Sequence, residues 1–175
     1  NLNCDQHVIH VGPLIRREQI YKNDLMEDRK RLFGALFHFT RKLPVSYICA
    51  KVKKSECEDV VELTTKLTKS ISKVLRDHAE YFESFDKIIV YYDNGQVELT
   101  KILTTLFNAL LYNVEFRKVK PSDYKLFQVA DLVCTLELLI EKASTSSFTS
   151  SESEFFHSER DFRREYYKYI SQKHI

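Results

Sequence analysis

Glycine is scarce in this chain, with three among 175 residues. That excludes glycine-rich phosphate loops and dinucleotide fingerprints, which need several glycines at fixed spacing so that the backbone can approach a phosphate. No Gly-x-Ser-x-Gly stretch occurs, which removes the serine-hydrolase elbow. The four cysteines, Cys4, Cys49, Cys57 and Cys134, form no Cys-x-x-Cys pair, and the histidines form no His-x-x-x-His pair. A zinc site or a disulfide framework is therefore disfavoured. Cys49 and Cys134 lie in apolar runs, so both are expected as reduced, buried thiols of a cytoplasmic protein. No run reaches the roughly 18 apolar residues of a membrane span, and no membrane partner is expected. Charge of one sign is also lacking: 27 basic and 25 acidic side chains leave a net +2. A protein that coats nucleic acid generally is excluded by that balance, whereas a local basic groove is not. No signal peptide is visible, and a start at Asn1 rather than Met suggests that the natural chain begins further upstream.

What is present is a well-stocked core, 43% apolar and 13% aromatic, in a length that suits one domain over 1–175. His7–Ile15 is β-rich and reads as a strand ended by Gly12-Pro13. Glu18–Leu43 carries a broad helical face of Ile20, Leu25, Leu32, Phe33, Leu36, Phe37 and Phe39, stopped by Pro44. Val45–Val52 reads as a second strand. Ser55 with Glu58 has the form of a capping box that opens a helix running to about Phe82. Lys87–Tyr92 is a run of β-branched and aromatic residues that reads as a buried strand. A helix over 97–112 and a strand over 114–119 follow. Pro121-Ser122-Asp123 opens a helix to about Lys142, 143–153 reads as a flexible Ser/Thr-rich loop, and 158–172 as a C-terminal helix. Alternating strands and helices predict an α/β domain with a partly parallel sheet.

Two carboxylates stand out. Asp93 ends the Lys87–Tyr92 strand in Asp93-Asn94-Gly95, where ligands of open α/β sheets gather; the same residues also form a plain turn signal. Asp131 sits in the apolar stretch Val129–Cys134, three residues after Gln128 and on its helix face. A charge there is costly unless paired, so it is either a structural ion pair or a ligand. Gln128 is otherwise an ordinary polar helix position, and Ser122 and Asp123 otherwise helix N-caps. The final helix interleaves Arg160, Arg163, Arg164 and Lys168 with Phe162, Tyr166, Tyr167 and Tyr169. It either follows a phosphate backbone or packs its rings inward.

Val90-Tyr-Tyr-Asp-Asn-Gly-Gln96, Lys120-Pro-Ser-Asp123, Leu126-Phe-Gln-Val-Ala-Asp131 and Ser153–Phe162 together resemble the family called domain of unknown function 3800, from Val8 onward. The Gln-x-Ala-Asp element is the most specific of these. That resemblance implies a ribonuclease H-like three-layer fold, a mixed sheet flanked by helices. It implies a nuclease or phosphodiesterase in which Asp93 and Asp131 are catalytic and hold Mg²⁺ or Mn²⁺, with Gln128, Asn94 and Ser122 as substrate-binding residues and nucleic acid as partner. The family's first-strand Asp-Glu-Ser-Gly segment has no match here, so the first strand is expected to be absent and the metal site incomplete. The alternative is a non-catalytic interaction or nucleic-acid-binding module on a degenerate version of that fold.

Overall fold

The structure is a computed structural model, and it describes residues 8–92 and 97–175. The chain divides into two compact units, one from the segment up to Tyr47 together with Pro121–Ile175, the other Ile48–Lys120.

In the first unit, the residues expected as an opening strand form a helix instead, α1 (Val11–Arg16). Pro13 suits this, because in the first helical turn its missing N–H costs nothing and its φ is already helical. Val11, Leu14 and Ile15 are fully enclosed. Arg17 closes α1 in the left-handed conformation (φ 61°), and its N–H bonds to Pro13 O. Around α1 stand α2 (Met26–Lys42), α6 (Leu126–Ser144) and α7 (Ser150–Phe156). Phe33 and Phe37 of α2 meet Phe155 and Phe156 of α7 and the Tyr166 ring in edge-on contacts, with centroids 5.1–5.7 Å apart. This edge-to-face geometry adds about 0.5–1.5 kcal/mol per pair beyond burial. The final helix is α8 (Glu159–Phe162), a π turn (Arg163–Tyr167) and α9 (Lys168–Ser171). Three of its rings turn inward, since Phe162 is fully buried and Tyr166 and Tyr167 pack against the core, whereas Tyr169 is exposed.

The second unit holds α3 (Val60–Asp77), α4 (Ala79–Glu83), β1 (Ile88–Tyr92), α5 (Val97–Leu110) and β2 (Val114–Lys118). The two strands are parallel, with Ile88 opposite Val114 and Tyr92 opposite Lys118. A parallel pair needs a crossover, and α5 supplies it. An aromatic column, Phe82–Phe107–Phe116–Tyr92, ties α4, α5 and the sheet together at centroid spacings of 6.2–6.3 Å.

These observations correct the expected fold. The protein is 65% helical with a two-stranded sheet, so the three-layer ribonuclease H-like α/β architecture is not its fold. The physical reason lies in two segments that read as strands. Residues 11–16 are recruited into α1, and Val45–Val52 forms no strand, contributing only the isolated bridge Tyr47–His174 among the described residues. The stretch 143–153 also differs from a mobile loop. Thr149 and Glu152 form a reciprocal capping box that starts α7, and Lys142 donates to both Glu152 oxygens at 2.6 and 2.8 Å.

Glu152 is buried, which pushes its carboxyl pKa up. The Lys142 ammonium and the Thr149 N–H outweigh that and hold it below its ordinary 4.5. A lowered folded-state value means stability that is complete above the ordinary range and lost as pH falls through the lowered one. Glu152→Gln should therefore cost about 1–3 kcal/mol at pH 7. In urea titrations from pH 7 to pH 3, the gap between wild type and variant should close as pH falls below 4.5; a gap that stays constant would show that the charge contributes nothing.

Candidate functional site

Helix α6 presents an inward face of Val129, Leu132, Val133, Leu136, Leu139 and Ala143. At its start the same helix holds Gln128, buried at 5% exposure, and the half-buried Asp131 one turn on. Both reach the segment leading into α1. Gln128 Oε1 accepts the Ile9 N–H at 3.2 Å, and Asp131 Oδ2 accepts the Val11 N–H at 2.8 Å. Between them, the Tyr21 hydroxyl accepts the His10 N–H at 3.2 Å. Three successive amides are thus each held by a side chain distant in sequence. An N–H left unmade in such a place costs about 1–3 kcal/mol. Burial raises the Tyr21 phenol pKa, so the hydroxyl stays neutral.

At the other end of α1, the Arg29 guanidinium donates from Nη1 to Leu14 O at 2.9 Å and Ile15 O at 3.0 Å. Its burial lowers its pKa from the ordinary value, with the nearby Arg17 charge adding to the shift. A carboxylate at the helix N-terminus and a guanidinium at its C-terminus both match the sign of the helix dipole. The pattern is that of two charged caps supplied by neighbouring helices.

Asp131 makes no ion pair among the described residues, so the structural ion pair expected as one of its two roles is replaced by a backbone cap. Its Oδ1 takes no hydrogen bond among the described residues. Ser122 is exposed on a 3₁₀ turn (Pro121–Asp123) and bonds to Asp123 Oδ1 at 3.0 Å. Neither Ser122 nor Asp123 caps α6, whose N-cap position is Lys125. Asp93 and Asn94 lie outside the described residues. Among the described residues no group of three or more His, Cys, Asp or Glu side chains is placed to hold a metal ion.

The thiol expectations need correction. Cys134 is exposed and Cys49 half-buried. Positions 134, 138 and 141 are exposed at helical spacing along the outer side of α6, which places Cys134 outward despite its apolar sequence neighbours. Surrounding protein atoms and then the Asp131 and Glu137 carboxylates raise the Cys134 thiol pKa, which lowers its thiolate content at neutral pH.

Sequence reasoning passed over Glu137. It is 4% exposed, and its Oε1 accepts the Tyr47 hydroxyl at 2.5 Å and the Tyr167 hydroxyl at 3.3 Å. The signal was available: Glu137 is a single charge inside Leu136-Glu-Leu-Leu-Ile140. Tyr47 also pairs its backbone with Lys173 and Ile175, so this carboxylate anchors the C-terminal residues of the chain.

No protein-family model, curated protein or solved structure matches this chain.

If Asp131 is a cap, its replacement should be graded by hydrogen-bonding ability. Asp131→Asn keeps an acceptor oxygen and should cost about 0.5–1 kcal/mol through the lost charge–dipole term. Asp131→Ala leaves the Val11 N–H unpaired and should cost about 1–3 kcal/mol. Equal stability of all three proteins in guanidinium unfolding would rule out the capping role.

Proposed function

We propose that this protein is a non-catalytic interaction module. The observation that carries this reading is the unburied apolar surface of the unit Ile48–Lys120. Its buried apolar side chains, among the described residues, are Ile71 and Leu75. The same unit exposes Val60, Val61, Tyr81, Phe85, Ile89, Tyr91 and Tyr112. Isolated exposed apolar residues are ordinary, but several aromatic ones on a unit with so thin a core are what a binding surface offers. The engagement of Gln128 and Asp131 with backbone amides points the same way, since it gives both residues a structural task.

A nucleic-acid partner gains little support. Phe162, Tyr166 and Tyr167 of the final helix pack on the core and the exposed Tyr169 ring is covered by Arg41, which leaves little of the stacking platform that single strands use. Among the described residues no helix is long and apolar enough to cross a membrane.

One observation favours the metal-dependent phosphodiesterase reading. Asp131 Oδ2 is fixed by a hydrogen bond while Oδ1 is open, which is how a metal-ligating carboxylate is commonly oriented. Under that reading Asp93 and Asp131 would hold Mg²⁺ or Mn²⁺ and the cation would activate water. The two readings separate in one experiment. The interaction reading expects labelled DNA and RNA to remain uncut by the protein with either cation. Cleavage that disappears in Asp131→Asn, with the melting temperature nearly unchanged, would replace it with the nuclease reading.

A further inference from the structure

The exposed aromatic residues of the unit Ile48–Lys120 do not lie at random. Phe82 turns inward onto Phe107 of α5, with centroids 6.3 Å apart. Its neighbours Tyr81 and Phe85 point outward at 44% and 51% exposure, and their rings meet edge-on at 5.2 Å. Asn113 then brings a second loop alongside: its Nδ2 donates to Asp86 O at 2.6 Å, and its own carbonyl accepts the Ile88 N–H at 3.1 Å. The residue before it is Tyr112, 87% exposed. Phe85 and Tyr112 each adjoin a residue of the Asp86–Asn113 hydrogen bond, at the end of the unit where β1 and β2 begin.

Carboxylates alternate with these rings along the chain. Asp77, Glu80, Glu83 and Asp86 recur at every third position through α4 and its flanks, and all four are exposed. None of them makes an ion pair among the described residues. Two cations close in sequence are engaged elsewhere: Arg76 bonds to Ser72, and Lys87 pairs with Glu115. Exposed aromatic rings interspersed with unpaired carboxylates are complementary to one kind of occupant. Phosphate backbones and anionic lipid surfaces are repelled by this charge. Lysine and arginine side chains meet it on two counts, by pairing with the carboxylates and by resting on the rings.

We propose that the Tyr81–Phe85–Tyr112 face is a docking surface for a basic segment of a partner protein, rich in lysine or arginine and carrying apolar anchors. The proposal rests on the interaction reading above and names its surface and partner chemistry. The rings contribute the apolar contact, in which interface energy concentrates, and the interspersed carboxylates select for cationic partners.

The test uses the full chain and a fluorescein-labelled synthetic amphipathic helix of leucine and lysine, about 18 residues long. Fluorescence anisotropy should show saturable binding. The combined Tyr81→Ser and Phe85→Ser substitutions should weaken it about tenfold or more. Because these rings also touch the unit's aromatic column, a second variant changes only surface charge. Glu80→Lys with Glu83→Lys should weaken binding at least as much, whereas Glu27→Gln on α2 should leave it unaltered. A helix with glutamate in place of lysine should not bind. Failure of the lysine helix to bind, or binding indifferent to both variants, overturns the proposal. Self-association in sedimentation that the same variants abolish also overturns it, since the occupant is then a second copy of the chain. Each of these failures is distinct from failure of the interaction reading itself, which is decided by Asp131-dependent cleavage of nucleic acid.

Discussion

The hydrogen bond from the Val11 N–H to Asp131 Oδ2 organises the unit that contains α1. A six-residue helix has too few internal bonds to persist alone, because nucleation fixes several residues for each bond gained. α1 persists because its ends are finished by other helices. Asp131 holds the first amide, and Arg29 takes two of the last carbonyls. With both ends satisfied, Val11, Leu14 and Ile15 can be enclosed without leaving backbone groups stranded. The aromatic packing of α2 and α7 then closes over an element whose polar needs are already met.

The other unit is built on a different principle. Its strands form a parallel pair, a type of sheet that elsewhere is covered on both faces. Here the cover on one side is the Phe82–Phe107–Phe116–Tyr92 column, while Ile89 and Tyr91 of β1 remain exposed. On that open face Glu115 is clamped by Arg117 and Lys87, which hold its carboxyl down at about 2. The clamp lies at the surface, with Glu115 half-buried between the exposed Arg117 and Lys87. A unit of this kind stabilises itself through rings and presents the remainder of its apolar area outward.

Much of the element pattern was legible in the sequence. The β1 run, the α5 crossover and β2 follow from local composition, and α2 and α6 from helical periodicity. α1 was not legible, because Val8-Ile-His-Val has β propensity and the residue that overrides it lies 120 positions away. The start of α3 shows a smaller version of the same effect. Ser55 and Glu58 looked like its cap, but Asp59 accepts the Glu62 N–H at 2.7 Å and Glu62 reaches back to the Glu58 N–H. Two overlapping capping patterns compete there, and sequence alone does not rank them. At the candidate site, the shared face of Gln128 and Asp131 was readable from their spacing, whereas their partners, Ile9 and Val11, were not. A carboxylate in an apolar helix signals that something pairs with it, and a backbone N–H leaves no mark in the sequence by which to recognise it.

The direct test of this account is amide hydrogen exchange at Val11, followed by NMR in the wild type and in Asp131→Ala. In the wild type the Val11 amide should be protected. In the variant, exchange should accelerate about tenfold or more, in line with loss of roughly 1.4 kcal/mol or more of local stability. Amides in the middle of α6, such as Leu136, should change only as much as global stability does. A Val11 amide that exchanges freely in the wild type, or whose protection survives the loss of the Asp131 carboxylate, would contradict the claim that this contact holds α1.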